Sequence, residues 1–523
     1  MAIPRGLRAY IAAAMALFLA LLVVGCAPPA ANPEADLANG KASDTVKVGV
    51  HGPTLVSLHP AKTLRTGSQS IVWAIYPRLT ELDGQGKVVP SSATSWERTS
   101  DNQWVFTLRD GVVYEQGQPF NADVVVWNFE RYLDSTSDWT AASSWRSYIQ
   151  SVKASGDHQV TITTKTPFLH LPEALATIFF LQPEWAQTHN PDLEAMGTGP
   201  YRLESYQQEN KGVLVASDTY WGKKPDFTRV EVIGYAESAT RLAALKNGEI
   251  NLTITIDPVD LPDLRSNGNL VVGGSPGQRV QTLQFNFNRK PFQDQRVREA
   301  LNYAIDRKSI TDSIYLGTTE PNRTQVISRW YPGYEQNAPT WDYDPERAKQ
   351  LLAEAGYAGG FTVNVNVPTA TYAGAEQAIQ VIAQSWAKLG VTLDISVLPS
   401  GPWGDRNVTT NLDEAPDLIY WGIQYPNLIA AYNLNSWTSN YRTNDGALPN
   451  QSEFDKIVKD AFAATDETGY LGKIAEGSGW LRNNAALVYL WDQPQTYAYQ
   501  KTLDWTPRYD DWIDYVNIKK AKS

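Results

Sequence analysis

Residues 281–307 read QTLQFNFNRKPFQDQRVREALNYAIDR. The first half alternates: Leu283, Phe285 and Phe287 fall on one face, Gln284, Asn286 and Asn288 on the other. That period of two predicts a half-buried strand. Pro291 is expected to stop it, since proline has no N–H to give to a ladder. Asp294 is placed to cap a helix by accepting a hydrogen bond from its free N–H groups. In that helix Val297, Ala300, Leu301, Ala304 and Ile305 share one stripe.

Outward from this stretch, residues 91–134 read SSATSWERTSDNQWVFTLRDGVVYEQGQPFNADVVVWNFERYLD. Trp104, Phe106 and Leu108 alternate as a strand, Asp110-Gly111 marks a turn, and Asn121 can cap a helix carrying Val125 and Phe129. A hairpin is expected over residues 152–164, turning at Gly156-Asp157. Gly197-Thr198-Gly199-Pro200-Tyr201 fixes a tight return. Residues 237–248 read as a short helix ended by Gly248. After Arg307 helices and strands alternate. Asp344-Pro345 starts a helix ended by Gly356, and Phe361, Val363, Val365 and Val367 mark a strand. A helix over residues 379–389 ends at Gly390, residues 391–397 form the next strand, and residues 418–421 another. This order predicts an α/β lobe with ligand-facing loops at strand ends.

The run F-N-x-x-x-x-P-F-x-D-x-R-V-R-x-A-L-N-Y-A-I-D-R resembles the hallmark segment of the large substrate-binding proteins of ABC importers, the extracellular solute-binding family 5 of peptide, nickel and opine carriers. So do the S-W, W-x-F-x-L-R-x-G-V and G-x-P-F blocks, although Ala122-Asp123-Val124 is one residue shorter than the family's A-x-D-V. The resemblance implies a periplasmic-binding-protein-like α/β fold: two lobes with a hinge, plus an extra domain, of the large cluster C type. The implied division is lobe I over 45–80, 196–284 and 492–523, the extra domain over 81–195, and lobe II over 285–491. It also implies a monomer that captures a small-molecule solute between the lobes and hands it to ABC permease subunits in the membrane.

The N-terminus fits that setting. Arg5 and Arg8 precede an apolar run over residues 10–24 that is short for a membrane span. Val23-Val24-Gly25-Cys26 resembles a lipobox. Residues 1–25 are therefore expected to be a lipoprotein signal peptide, Cys26 a lipidated residue, and residues 26–44, rich in Pro, Ala and Asn, a tether. The expected location is the extracytoplasmic face of the cell membrane. Cys26 is the chain's one cysteine, so no intrachain disulfide forms. A chain of 523 residues with 42% hydrophobic and 19% charged residues is long enough for two or three domains. A net charge of −11 argues against a nucleic-acid partner, whose phosphates need a basic footprint.

Catalytic and cofactor signatures are absent: no phosphate loop, nucleophile elbow, H-E-x-x-H or C-x-x-C. The five histidines show no metal-ligand spacing. Carboxylate pairs at Asp413-Glu414 and Asp510-Asp511 read as solvated charged faces. The alternatives to import are a ligand sensor for a membrane receptor and a cell-surface glycoside hydrolase. No enzyme, metal or cofactor is expected.

Aromatics are abundant, with 18 Trp, 26 Tyr and 14 Phe. By resemblance Trp403, Trp421, Tyr425 and Trp437 lie in cleft-lining segments, where flat rings stack on ligands. Asn286 and His51 are candidates at strand ends, and Arg329 is a candidate partner for a ligand carboxylate. Peptide binders of the family carry an aspartate in W-x-x-D-Y, which pairs with the α-ammonium. Here Trp421-Gly422-Ile423-Gln424-Tyr425 has Gln424 at that place. A neutral amide does not neutralise an ammonium, which argues against free-amine peptides unless another acid, such as Asp405 or Asp417, supplies the charge. The solutes left are a glycoside or oligosaccharide, an opine-like conjugate, a blocked peptide or a metallophore complex.

Overall fold

In the computed structural model, residues 44–522 are described, apart from 63–64, 138, 140–141, 370, 408–414, 440–447 and 449 and the side chains of 142–144, 400 and 405–407. The signal-peptide and lipidation expectations, Asp413-Glu414 and the Asp405 side chain lie outside them. Strand β1 (Thr45–His51) comes first, then the short pair β2 (Thr80–Leu82) and β3 (Val88–Pro90). Next are β4 (Ala93–Ser100), β5 (Gln103–Leu108), β6 (Ile149–Ala154) and β7 (Gln159–Thr164), then β8 (Tyr201–Gln207), β9 (Lys211–Ala216) and β10 (Arg229–Tyr235). β11 (Leu252–Ile254) precedes the long β12 (Leu270–Phe285). β13 (Phe361–Pro368), β14 (Val391–Leu398) and β15 (Leu418–Ile423) alternate with helices. The long β16 (Leu487–Gln500) and the two-residue β17 (Leu503–Asp504) and β18 (Lys519–Lys520) end the chain.

Ten of these strands form one sheet in the order β14-β13-β15-β12-β16-β11-β1-β10-β9-β8. Two parallel groups flank its centre: β1 pairs in parallel with β10 and β11, and β13 with β14 and β15. Between them β12 and β16 run antiparallel from Leu270↔Gln500 to Gln284↔Leu487, and so belong to both groups. A separate antiparallel sheet, β4-β5-β7-β6, packs Trp104, Phe106, Val160 and Ile162 inward. Among the described residues no helix is long and apolar enough to cross a membrane.

The opening stretch differs from its sequence reading in two ways. β12 is not half-buried: Gln281, Thr282 and Gln284 are as enclosed as Leu283 and Phe285, because β15 and β16 flank it and both faces are covered. The strand also ends at Phe285, and Pro291 sits inside a short helix, Lys290–Gln293, where its missing N–H costs nothing. Asp294 does cap the next helix, Gln295–Tyr303, accepting from Arg296 N at 2.9 Å. Asn121 caps Ala122–Leu133 and Asp344 caps Pro345–Glu354 in the same manner.

The polar residues of the hallmark run form a joint. Arg298 is buried and donates to the carbonyls of Phe292 (2.7 Å), Asn484 (2.7 Å) and Ala485 (3.1 Å). Asn302 Nδ2 donates to Leu487 O at 3.0 Å, and Arg307 Nε to Tyr489 O at 2.6 Å. Burial lowers Arg298 to about 10 and Arg307 to about 9, so both stay charged at neutral pH, solvated by backbone carbonyls rather than carboxylates. These bonds fasten the helix to the start of β16 and fix where β16 lies beside β12.

Candidate solute site where the central strands meet

Halfway along, β12 breaks register with β16. Pairing stops at Pro276↔Pro494 and resumes at Val280↔Asp492, so Gly277, Gln278 and Arg279 bulge opposite Gln493. A bulge of this kind re-aims side chains. Glycine is required at 277, because a Cβ there would come within 2.9 Å of Gln493 O and 2.8 Å of Gln495 Cγ. The bulged Gln278 N donates to Tyr509 O at 3.3 Å, which brings the C-terminal segment against the same point. On the other flank β15 contributes Gly422, whose missing side chain leaves room for Arg279, Gln281 and Tyr372 to converge.

Several buried amides in this junction have atoms without partners. Gln278 is 1% exposed, yet neither its Oε1 nor its Nε2 is hydrogen-bonded. Gln281 donates from Nε2 to Gln493 Oε1 at 2.5 Å, while its Oε1 is unmatched, as is Gln424 Oε1. Each unmatched buried polar atom costs about 1–3 kcal/mol. A bound molecule that supplies partners would recover that cost.

One residue before Gly422, and so on the opposite face of β15, Trp421 meets Trp403 with ring centres 5.1 Å apart, Trp421 partly open and Trp403 buried with Nε1 toward Asn366 O at 3.4 Å. Tyr425 is held through its backbone: its N donates to Tyr331 Oη at 2.7 Å, and that hydroxyl donates to Tyr425 O at 3.1 Å. Trp421 and Trp403 therefore come together, while the Tyr425 ring packs on Tyr432 with centres 5.4 Å apart and its hydroxyl lies 3.1 Å from Ser436 Oγ. Asn286 is buried under Pro416 O and Asp417 O, a support for the end of β12. Trp437 is enclosed in the core, and Arg329 is ion-paired with Glu320. His51 ends β1, and burial first, then Arg241, depresses its pKa. Asp417 binds Arg289 at 2.6 Å and accepts from Asn364 N at 2.9 Å, which commits it to the fold.

Asp510 and Asp511 correct the sequence reading, since they are not a solvated face. Asp510 is 1% exposed and ion-paired with Arg508 at 2.7 Å. Asp511 stands beside Gln495, with burial raising its carboxyl to about 6 against the pull of Arg279. Sequence reading also missed Gln278, Arg279, Gln281 and Gln495. The one local signal was the turn-like Ser275-Pro276-Gly277 ahead of them. A surface cavity of about 420 Å³ lies elsewhere, around His59, Trp127 and Arg131, and none of its lining residues carries a buried unpartnered side-chain atom among the described residues.

Comparison with known proteins agrees with this architecture. The chain is 28% identical over 427 residues to heme-binding protein A of Haemophilus influenzae, covering 75% of this chain and 77% of the relative. It is 28% identical over 361 residues to the dipeptide-binding protein of Escherichia coli K12, covering 63% and 67%. The ABC transporter substrate-binding protein CtaP of Listeria monocytogenes superposes with a TM-score of 0.81 at 20% identity, over 92% of this chain and 100% of that one. NikA of Brucella suis in complex with Fe(III)-EDTA gives 0.80 at 20%, over 91% and 100%. The fold is that of the two-lobed periplasmic binding proteins. Residues 87–445 match the family model of the bacterial extracellular solute-binding proteins, family 5, and the chain belongs to that family.

Proposed function

We propose that the protein is a lipid-anchored, extracytoplasmic solute-binding component of an ABC importer, and that its solute sits where β12, β15 and β16 meet. The observation that carries the reading is the buried, unpartnered amide atoms of Gln278 and Gln281 on β12 and of Gln424 just after β15, with the Trp403–Trp421 pair on the same stretch of β15. Small solutes are held by apolar walls and a few placed polar groups. The two parallel groups of the large sheet act as the lobes, 45–80, 196–284 and 492–523 against 285–491, with 81–195 as the extra domain and β12 and β16 as the hinge. The solute is peptide-like, opine-like or an oligosaccharide, in keeping with relatives named for a dipeptide and for heme. The reading is capture and delivery, not catalysis.

A thermal-shift screen across peptides, opines, oligosaccharides and metal complexes tests it, because a solute that binds the folded chain raises its melting temperature. Trp421→Ala should weaken the best solute by roughly tenfold or more, read by calorimetry. Unchanged affinity would move the site elsewhere, the cavity at Trp127 being the first alternative. The anchor rests on the lipobox-like run before Cys26. Cys26→Ser should release the protein from membranes, since the lipid's buried CH₂ groups contribute about 0.8 kcal/mol each. Persistent membrane association of that variant would exclude the anchor.

A further inference from the structure

The cavity of about 420 Å³ around His59, Trp127 and Arg131 lies outside the proposed solute site and has the volume to hold a small organic molecule. Separate stretches of chain wall it: the loop that follows β1, with His59 and Lys62, the helix Ala122–Leu133, with Trp127 and Arg131, and residues 186–192. Trp127 and Arg131 are one helical turn apart, so the helix sets them on the same face. The central carbon of the Arg131 guanidinium stands 3.1 Å from the centre of the Trp127 ring, and Nη1 donates to Trp127 O at 3.1 Å. These two contacts hold the guanidinium in place at the cavity wall. Burial lowers its pKa against the pull of Glu130, and arginine stays protonated.

Arg131 carries a charge that nothing neighbouring neutralises. No carboxylate lies within 4.0 Å of it among the described residues. The acids that line the cavity are already bonded. Asp192 accepts from Ser57 Oγ at 2.5 Å, and Asp134 accepts from Thr136 N and Oγ at 2.8 Å each, bonds that hold its carboxyl below the usual range. The cation acting on Asp134 is Arg146, not Arg131. His59 accepts at Nδ1 from Ala61 N at 3.1 Å, so its ring proton is on Nε2 and it adds a donor without adding charge. Lys62 is engaged with other groups. Trp139, Leu181 and Pro191 supply apolar wall, and Trp139 is fixed edge-on against His59 and Tyr132, with ring centres 5.2 and 4.7 Å away. Because Arg131 already covers Trp127, a cationic ligand would meet a like charge at that indole. A carboxylate instead matches the planar donor fork of the guanidinium, and a flat ring packs well against indole and aliphatic wall.

We propose that this cavity is a second ligand site, separate from the one where β12, β15 and β16 meet, and that it takes a small aromatic carboxylate. Arg131 pairs with the carboxylate, held in position by Trp127, while Trp139 and Leu181 cover the ring. The site does not rest on the reading of the β12–β16 junction.

The test titrates para-fluorobenzoate into the protein and reads binding by fluorine NMR, with para-fluorobenzamide and para-fluorobenzylamine as the neutral and cationic forms of the same ring. The benzoate should bind with a Kd below about 10 mM, and at least roughly tenfold more tightly than the amide or the amine. Arg131→Gln should weaken the benzoate by roughly tenfold or more and leave the amide within about twofold. Arg131→Lys keeps the charge without the fork and should fall between wild type and Arg131→Gln. Melting temperatures of both variants separate a lost contact from a lost fold, and the ranking of the probes on wild type needs no variant. Equal binding of the probes, a benzoate Kd above about 10 mM, or an affinity indifferent to Arg131 overturns the proposal. Benzoate affinity that falls with Trp421→Ala and not with Arg131→Gln puts the probe in the other site and overturns it too.

Discussion

Asp492 shows how a single buried carboxyl sets the pH response of the fold. It is 2% exposed at the resumption of β12–β16 pairing, and burial raises it to about 7, offset in part by the 2.9 Å bond from Asn322 Nδ2 and by the Arg329 charge. An unfolded aspartate titrates near about 4, so between those values the folded chain holds a proton that the unfolded chain has released. Stability from this group is therefore full below about pH 4 and is lost as the pH rises through 7. Asp492→Asn keeps an acceptor for Asn322 and removes the titration. Chemical denaturation should find the variant more stable than wild type at pH 8 by about 1 kcal/mol or more, with the gain vanishing near pH 4. Asp511, raised to about 6, and Glu115 and Glu173, each raised to about 7, act with the same sign, so the slope is reduced and not abolished. A variant less stable than wild type at pH 8 would show that Asp492 is ionised and needed as an anion.

The bulge of β12 is the element on which the proposed solute site depends. Gly277→Ala puts a methyl group against Gln493 O and Gln495 Cγ, and the strand must shift at a cost of about 1–3 kcal/mol. Solute affinity should fall with it, since Gln278 and Arg279 ride on the same bulge. Gly268→Ala, with nothing near its Cβ, is the control and should change stability by less than about 0.5 kcal/mol. If Gly277→Ala matches the control in denaturation, the bulge is not tightly packed. The same element shows the limit of sequence reading. Where one face is wet, as in β5, alternation and a turn mark the strand, and capping residues such as Asp294 mark the helices. β12 runs back through Gly273-Gly274-Ser275-Pro276-Gly277, a turn-like composition, and β16 is buried on both faces over Leu487–Gln495 and shows no period. Central strands are set by their neighbours, which local pattern does not contain. Of the proposed solute site, resemblance pointed to Trp403 and Trp421. That site was not legible at Gln278, Gln495 and Asp511, which three distant segments bring together through one register and one Gln278–Tyr509 bond.

At the scale of the whole molecule, the proposed extra domain touches the far half of the chain at several points. His170 Nε2 lies 3.2 Å from Glu467 Oε2, Arg98 Nη1 donates to Thr465 O at 2.5 Å, and Tyr148 packs on Tyr432 and Phe462. Partly exposed polar contacts of this kind are worth little each. The continuous connection between the two groups of strands is instead β12 and β16, a pair whose bulge provides a place to bend. Opening the proposed lobes would bend this pair, and a solute touching both would hold them shut. Small-angle scattering, with and without a saturating solute chosen because it raises the melting temperature, measures this directly. The account predicts a smaller radius of gyration with solute; equal radii at saturation would contradict it.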